Sequence, residues 1–304
     1  MDERTLLKEI EPVASDLLNR HLGVAKEWFP HEMVPYSRGK DFEPGKQWSV
    51  NDSDFGADEI EMSDAVRGSL FVNLLTEDNL PYYFRDINSL FGNDGVYGEW
   101  GRNWTAEEGR HSIVIRDYLT VTRAIDPIAL ERGRMQQVRG GEVPAPLDLY
   151  EALAYLSMQE LATRIAHRNT GKMMHDEVGE AIMARVGNDE NLHYLFYRDL
   201  TTAAIAVDPS NMIIGIERAV RTFAMPGTGI PDFERLSREI ARVGIYDLLI
   251  HHDQILQPVV MRHWKLEHAT GLTDEAEKAR EALFKRIERI GKVGAKMASD
   301  RVSA

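Results

Sequence analysis

The sequence contains no cysteine among its 304 residues. This absence excludes disulfide bonds, cysteine nucleophiles, zinc–thiolate sites and iron–sulfur clusters held by the chain itself. Cations are also scarce, because 36 lysines and arginines stand against 49 aspartates and glutamates, which gives a formal net charge of −13. Nucleic-acid binding depends on clustered cations that displace counterions, so we expect no nucleic-acid partner.

Long apolar runs are missing as well. The first eleven residues are charged and lack the apolar core of a signal peptide. No stretch approaches the roughly 18 uncharged apolar residues that a membrane-spanning helix needs. We therefore expect a cytoplasmic protein without a membrane span. No break in composition divides the chain, so the sequence predicts a single domain over residues 1–304, although the length would allow two.

Alternating β-branched runs, which a sheet requires, are absent, and apolar residues recur at helical spacing almost throughout. This pattern predicts an all-α protein with a core helical bundle over about residues 63–207 and additional flanking helices. The predicted elements are an opening helix that ends before Trp28, an irregular segment over 30–62, and a helix from the N-cap Ser63 to Phe91 with a bend at Pro81. Further helices are expected over 95–125, 127–139, 147–171, 176–207, 210–224, 232–243, 246–269 and 274–298.

Two Glu-x-x-His segments carry side chains that bind metals. Glu108 and His111 form the first pair, and Glu190 and His193 form the second. Residues at i and i+3 project from one face of a helix, so each pair could bind one metal ion, although a single pair is more often a surface contact. The repetition favours the metal site, because a further glutamate precedes each pair at a similar distance. Glu77 lies 31 residues before Glu108, and Glu160 lies 30 residues before Glu190.

A helical hairpin accounts for this separation. The 14 residues from Glu77 to Phe91 span about 21 Å of helix, and a turn at Gly92 and Asn93 returns the chain to Glu108 at the same height. The second hairpin turns near residues 172–175. Four helices then bring four glutamates and two histidines to one level, as in carboxylate-bridged two-metal bundles. Four ionised glutamates balance two divalent cations, and mixed carboxylate–imidazole ligation suits iron or manganese better than zinc or copper.

A competing interpretation starts a helix inside the first hairpin. Thr105 and Glu108 match a capping box, which would place Glu108 in the first turn of a helix and spoil the hairpin geometry. One helix face nevertheless continues at steps of three and four across this point, through Val96, Trp100, Trp104, Glu108, His111, Ile115 and Tyr118. We therefore favour one helix that starts near Asp94, despite three glycines in its first turns.

Three neighbouring side chains are candidates for supporting roles. Thr163 and His167 share the helix face of Glu160. A hydroxyl group there could hydrogen-bond to bound dioxygen or relay protons, or it could bond only to its own helix. His167 is more simply interpreted as a supporting or core histidine. Asp189 could accept the ring N–H of a ligand histidine.

Four ordered motifs carry a family resemblance. They are Thr76-Glu77-Asp78-Asn79-Leu80-Pro81, Trp104-Thr105-Ala106-Glu107-Glu108-Gly109-Arg110-His111, Gln159-Glu160-Leu161-Ala162-Thr163 and Asp189-Glu190-Asn191-Leu192-His193. With these motifs the chain resembles the soluble acyl-acyl carrier protein desaturases, above all the bacterial, actinobacterial-type branch of the stearoyl type. The resemblance extends from about residue 19 to 265. It implies a ferritin-like di-iron helical bundle, a homodimer, and an O₂-dependent enzyme that introduces a cis double bond into a saturated acyl chain on acyl carrier protein.

The resemblance also implies roles for individual residues. The ligands of two iron ions, ferrous in the reduced form, would be Glu77, Glu108, His111, Glu160, Glu190 and His193. Thr163 occupies the position associated with oxygen activation, and Trp28, His111 and Asp189 match a proposed route of electron entry. Gly109 replaces the usual asparagine of the family, and the loop over 139–146 is short, which leaves acyl chain length and double-bond position open.

Electrons must come from outside the chain, because it has neither cysteines for a cluster nor a Gly-x-Gly-x-x-Gly motif for a dinucleotide. Ferredoxin and ferredoxin reductase are the donors that the resemblance implies. Acyl carrier protein and ferredoxin, the partners that the resemblance implies, are both acidic, so their binding needs a local basic patch on this acidic protein. Residues 278–301 carry eight lysines and arginines against three acids, although a solvated helix face explains them more simply.

Other functions would use the same residues. Another di-iron oxygenase, such as an N-oxygenase or a hydroxylase, would have the same ligands and a different substrate. A ferroxidase or iron-binding protein would also contain them. A helical scaffold without chemistry is disfavoured, because the spacing of the glutamates and histidines repeats.

Overall fold

A computed structural model of the chain describes residues 1–42, 62–141, 143, 145–225, 227, 230 and 232–302. In this part of the chain the regular secondary structure is helical and contains no strand, as the all-α prediction required. The α-helices are α1 (Glu3–Val24), α2 (Pro30–Met33), α3 (Asp64–Glu77), α4 (Leu80–Phe91), α5 (Gly95–Val121), α6 (Pro127–Gly140), α7 (Leu149–Lys172), α8 (Glu177–Val207), α9 (Pro209–Thr222), α10 (Phe233–Arg242), α11 (Leu248–His251) and α12 (Asp274–Val302). A π-helical segment, His252–His263, and two 3₁₀ segments, Tyr36–Arg38 and Leu266–His268, complete the described elements. No helix in these residues is long and apolar enough to cross a membrane.

Two hairpins form the bundle. In the first, α3 and α4 run antiparallel to α5, and in the second α7 runs antiparallel to α8. Glycines let α7 and α8 approach closely, since a Cβ atom on Gly171 would lie only 2.9 Å from the Cβ atom of Met183. The remaining helices cover this bundle: α1 packs on α8 and α5, α9 and α12 pack together beside α7, and α10 packs on α3.

The core consists of two hydrophobic clusters. The larger cluster is built mainly from α1, α7, α8, α9 and the π-helical segment, and the smaller one from α3, α5 and the first turns of α8. Leu70 and Leu74 of α3 and Leu119 of α5 are completely buried in the smaller cluster. Burying a side chain of this size contributes roughly 1.5–3 kcal/mol, so these contacts fix the heights of the two helices relative to each other.

The first hairpin contains a break that the sequence analysis did not predict. We expected one helix from Ser63 to Phe91 with a bend at Pro81, but α3 ends at Glu77 and α4 begins at Leu80. In a continuous helix the Pro81 ring would collide with the carbonyl group of Glu77, four residues earlier. In α4 Pro81 instead occupies the first turn, where its missing N–H is not needed.

Most of the other helix boundaries in the described residues follow the predictions closely. Ser63 is the N-cap of α3, and its hydroxyl oxygen accepts a hydrogen bond from Val66 N at 3.3 Å. Helix α5 begins after Asp94 and passes through Thr105 without interruption. Thr105 does not cap a helix, because its hydroxyl group donates to Gly101 O at 2.6 Å. The single-helix interpretation of this segment is therefore confirmed.

Two predictions outside the bundle need correction. The segment over 30–62 was expected to be irregular, but it contains α2 and the 3₁₀ segment Tyr36–Arg38, whereas residues 43–61 lie outside the described residues. The predicted helix over 246–269 is α-helical only in Leu248–His251 and then becomes π-helical. Pro258 lies inside that π-helical segment, where it cannot donate a hydrogen bond and would clash within a regular α-helix.

Candidate metal centre

The structure brings the six predicted ligands together in the interior of the bundle. Glu77 ends α3, Glu108 and His111 lie in the middle of α5, Glu160 lies in α7, and Glu190 and His193 lie in α8. All six are buried, and none is more than 6% exposed. The two hairpins thus deliver carboxylates and imidazoles from four directions to one place.

The cluster divides into two overlapping groups of ligand atoms. One group contains Glu77, Glu108, His111 and Glu190, and the other contains Glu108, Glu160, Glu190 and His193; within each group the ligand atoms lie within 4.8 Å of one another. Glu108 and Glu190 belong to both groups. Two carboxylates shared between two four-residue groups have the arrangement of bridging ligands between two metal ions.

Several potential metal-binding atoms of the cluster have no hydrogen-bond partner among the described residues of the protein. Nδ1 of His111, Nδ1 of His193, and one carboxylate oxygen each of Glu108 and Glu160 are buried without a hydrogen-bond partner. His193 Nδ1 lies only 2.8 Å from Glu108 Oε1, yet the pair has no hydrogen-bond geometry. Buried polar atoms are normally satisfied, so several such atoms around one space indicate a cation site. Carboxylate oxygens and imidazole nitrogens together are the ligands that iron and manganese accept.

The four carboxylates differ in the direction of their pKa shifts. Burial raises the pKa of Glu160 well above the ordinary value, and burial together with the charge of Glu190 also raises the pKa of Glu108. Burial opposes ionisation of Glu77 and Glu190 too, but the neighbouring imidazoles of His111 and His167 outweigh it and lower the pKa of both groups. Protons and divalent cations would therefore compete for Glu108 and Glu160.

Asp189 connects one of the histidines to an aromatic ring. Its Oδ2 atom accepts a hydrogen bond from Trp28 Nε1 at 2.7 Å and lies 3.4 Å from His111 Nε2. The rings of Trp28 and His111 stack with centroids 6.4 Å apart. The guanidinium groups of Arg110 and Arg185 lie over the Trp28 ring and bond to Asp189. The predicted route Trp28–Asp189–His111 is thus a continuous set of contacts, and its part in electron entry stays a prediction.

Thr163 and His167 both contact carboxylates of the cluster. The Thr163 hydroxyl lies 2.8 Å from Glu190 Oε2 and 3.0 Å from the carbonyl oxygen of Glu160 in its own helix. His167 Nε2 lies 3.2 Å from Glu77 Oε1. His167 belongs to neither of the two ligand groups found among the described residues, so its geometry agrees with a supporting histidine.

The sequence analysis missed three residues that contact the predicted ligands. Trp104 Nε1 donates to Glu160 Oε1 at 3.1 Å, and Glu107 Oε2 lies 2.8 Å from His193 Nε2. His21, from α1, contacts the same Glu107 carboxylate at 3.1 Å. Two bonds from histidines, against the effect of burial, hold the pKa of Glu107 far below its usual value. The sequence did contain a signal for Glu107: it directly precedes the predicted ligand Glu108, just as Asp189 directly precedes the predicted ligand Glu190.

A narrow cavity opens onto the carboxylates of the cluster. Its wall contains all four predicted glutamate ligands and Thr163. Its remaining surface is mostly apolar and comes mainly from α4, α5 and α7, although Asp86 and Gln159 also line it. These other lining residues include Tyr83, Ile87, Leu90, Trp104, Tyr155 and Leu156. An apolar cavity beside a cluster of metal-binding groups can hold an aliphatic chain and exclude water from it.

Comparisons with known proteins agree with this geometry. A family model for fatty acid desaturases matches residues 2–304. The chain is 41% identical over 286 residues to a protein of Mycobacterium tuberculosis designated as the acyl-[acyl-carrier-protein] desaturase DesA1, a match that covers 91% of this chain and 83% of that protein. It is 28% identical over 313 residues to the chloroplastic stearoyl-[acyl-carrier-protein] 9-desaturase of Simmondsia chinensis. That match covers 95% of this chain and 75% of the plant protein.

A solved structure has the same fold. The X-ray structure of Mycobacterium tuberculosis H37Rv DesA2, designated as an acyl-ACP desaturase, superimposes with a TM-score of 0.68 at 23% identity and covers 90% of this chain and 99% of that one. This likeness confirms the predicted ferritin-like helical bundle. The family model and the 41% identical relative show that the chain belongs to the fatty acid desaturase family.

Proposed function

We propose that this protein is an acyl-[acyl-carrier-protein] desaturase, which uses a di-iron centre, O₂ and two external electrons to introduce a cis double bond into a saturated acyl chain. Its ligands are Glu77, Glu108, His111, Glu160, Glu190 and His193. The observation that carries the proposal is that the cavity with apolar walls is also lined by these four glutamates. Such a cavity would hold methylene groups, which have no acidic hydrogen, directly beside metal ions.

The residues of the chain divide the work of this reaction. When bound, the two iron ions supply the dioxygen chemistry that breaks unactivated C–H bonds, which no side-chain acid or base can do at neutral pH. The walls contributed by Ile87, Leu90 and Leu156 hold the acyl chain and exclude water. Thr163 places a hydroxyl group at the point where the cavity meets Glu190.

Electrons and substrate come from two partners in this proposal. Acyl carrier protein delivers the acyl chain, and the relatives are named for acyl chains carried in this way. Ferredoxin, reduced by its reductase, supplies the electrons, and Trp28, Asp189 and His111 are the connected residues through which they would enter. We further propose a single domain over residues 1–304, a homodimer, and a cytoplasmic location.

Mass spectrometry of acyl carrier protein tests the proposal. The iron-loaded protein is incubated with stearoyl- or palmitoyl-acyl carrier protein, ferredoxin, ferredoxin reductase and O₂. We expect a product two mass units lighter, and fragmentation of that product gives the double-bond position. The relatives do not predict this position, since they include both a 4-desaturase and a 9-desaturase.

Matched variants make the result specific. Glu108→Ala removes a predicted ligand and should abolish the product, whereas Glu99→Gln, a change at an exposed residue of the same helix, should leave it intact. Consumption of O₂ with oxidised iron and no altered acyl chain would contradict the desaturase and favour a ferroxidase. A hydroxylated acyl chain would instead indicate another di-iron oxygenase.

A further inference from the structure

The Glu-x-x-His repeat extends one residue further than the predicted ligands. Glu107 precedes Glu108 and Asp189 precedes Glu190, so a second carboxylate precedes the glutamate of each pair. Neighbouring residues in a helix point about 100° apart, so the second carboxylate cannot face the cluster in the same way as the first. It is available for another partner, and in both halves that partner is a histidine.

The two extra carboxylates cross over between the hairpins. Glu107 of α5 lies 2.8 Å from Nε2 of His193 in α8, and Asp189 of α8 lies 3.4 Å from Nε2 of His111 in α5. Each helix therefore supplies the carboxylate that holds the histidine of the other. Each histidine keeps its Nδ1 atom toward the shared carboxylates, at 2.8 Å from Glu108 for His193 and 3.2 Å for His111.

Each carboxylate also has a partner near the N-terminus of the chain. Trp28 donates to Asp189, and His21 Nε2 lies 3.1 Å from Glu107 Oε2 and 3.2 Å from Glu107 Oε1. His21 is only 3% exposed. Its ring stacks on His193 with centroids 5.9 Å apart and meets the Trp100 ring edge-on at 5.0 Å. These contacts fix His21 from three directions, so its bond to Glu107 has a defined geometry.

We propose that Glu107 and His21 are positioning residues for the predicted metal ligand His193. Glu107 accepts the Nε2 hydrogen of His193, which fixes the ring orientation and leaves the Nδ1 lone pair for the metal. His21 holds the Glu107 carboxylate in place. A carboxylate behind a ligand histidine also makes the imidazole a stronger donor, and losing such a partner typically lowers metal affinity by about 10–100-fold.

This positioning role rests on the proposed di-iron function and extends it to residues that are not metal ligands. It makes α1, which contributes no predicted ligand, part of the support of one half of the centre. It also predicts that the two halves respond independently: Glu107 and His21 act on the His193 side, and Asp189 and Trp28 act on the His111 side. A purely structural role of these residues would not produce this division.

Anaerobic iron binding separates the two halves. Metal-free protein is titrated with ⁵⁷Fe²⁺ in equilibrium dialysis, and Mössbauer spectra are recorded on the loaded samples. In Glu107→Gln we expect one of the two sites to bind about 10–100-fold more weakly and one of the two iron signals to change. Asp189→Asn should weaken the other site. Glu99→Gln, which changes an exposed carboxylate of the same helix, is the control and should match the wild type.

Two variants of His21 test the role of α1. His21→Leu removes the donor to Glu107 and should weaken the same site as Glu107→Gln, whereas His21→Gln supplies an amide donor and should restore most of the affinity. The thermal midpoint of each metal-free variant shows whether the fold is intact. Equal weakening of both sites, or a failure of His21→Gln to restore binding, would overturn the inference.

The inference and the proposed function fail in different ways. If the wild type binds two iron ions and Glu107→Gln and His21→Leu bind them equally well, the positioning role is wrong and the di-iron function stands. If the wild type binds no iron under these conditions, the proposed function itself is wrong.

Discussion

The hydroxyl group of Thr163 lies between its own helix and the metal centre. Its Oγ1 atom is 2.8 Å from Glu190 Oε2, closer than it is to the helix carbonyl oxygens of Gln159 at 3.2 Å and Glu160 at 3.0 Å. A hydroxyl group has one hydrogen to donate, and an ionised carboxylate is the stronger acceptor. The pKa of Glu190 lies well below its usual value because the neighbouring imidazoles of His111 and His167 outweigh its burial, so Thr163 donates to a charged group.

The first prediction concerns this hydrogen bond. Thr163→Val keeps the shape of the side chain and removes the donor, so we expect normal iron loading with less product formed per O₂ consumed. The cause is that Glu190 loses a partner worth about 1.5–3 kcal/mol for a charged acceptor. Thr163→Ser retains the hydroxyl group and serves as the control. Simultaneous measurement of O₂ uptake and desaturated product gives the ratio of product to O₂. If this ratio is unchanged in Thr163→Val, the hydroxyl group serves only to bond within its own helix.

The second prediction concerns removal of a ligand. Glu108→Ala and His193→Ala should lose iron while the metal-free protein still unfolds cooperatively. Burial and the charge of Glu190 raise the pKa of Glu108, so this carboxylate opposes folding when it ionises without metal. Iron content and circular dichroism during heating measure the two effects. Full iron content together with wild-type O₂ consumption in both variants would show that the assigned ligands are wrong.

The third prediction is a dependence of stability on pH that is unrelated to the metal. His251 is buried beside Phe223, and its Nδ1 atom accepts a hydrogen bond from the Tyr246 hydroxyl at 2.9 Å. Burial lowers the pKa of His251 from 6.5 to about 4. Between these values the unfolded chain binds the proton and the folded chain does not, so the free energy of unfolding falls as the pH is lowered from 6.5 to 4.

The size of this effect follows from the shift. At 1.36 kcal/mol for each pH unit, the contribution of His251 amounts to about 3 kcal/mol across the window. His251→Gln can still accept the Tyr246 hydrogen and has no titrating group, so it should lose this part of the slope. Urea unfolding of the metal-free proteins at several pH values provides the comparison. Parallel curves for wild type and variant would contradict the prediction.

The fourth prediction concerns the contact between α9 and α7. A Cβ atom on Gly215 would lie 2.6 Å from the carbonyl carbon of Tyr150, and backbone cannot move aside as a flexible side chain can. Gly215→Ala should therefore lower the free energy of unfolding by about 1–3 kcal/mol. Gly23 has no neighbouring atom within 4 Å, and Gly23→Ala should be neutral or stabilise α1 by up to about 1 kcal/mol. Equal shifts of the denaturant midpoint in Gly215→Ala and Gly23→Ala, relative to the wild type, would contradict the packing argument.

Helical spacing was sufficient to predict most of the helices that form this site. The offset of 31 residues between Glu77 and Glu108 indicated a hairpin, and the structure has one, with its turn before Gly95. The single face that continues from Val96 to Tyr118 correctly favoured a continuous helix over a cap at Thr105. These predictions succeed because the pattern repeats over many residues, so one irregular position does not change it.

Features that depend on a single residue or on distant partners were missed. The break after Glu77 follows from one proline, whose effect on a helix can be a bend or an end. The contact between His21 and Glu107 joins residues 86 positions apart, and no local pattern links them. The π-helical segment has apolar spacing close enough to that of an α-helix that the sequence does not distinguish the two.

An ion pair connects the break after Glu77 to α6. Asp78, in the gap, forms a bidentate ion pair with Arg134 of α6, with distances of 2.5 and 3.1 Å. The end of α3, and with it the Glu77 side chain, is thereby tied to a helix that contains no predicted ligand. Substitutions at Arg134 should accordingly be assessed as changes to iron retention, even though this residue lies on the outside of the bundle.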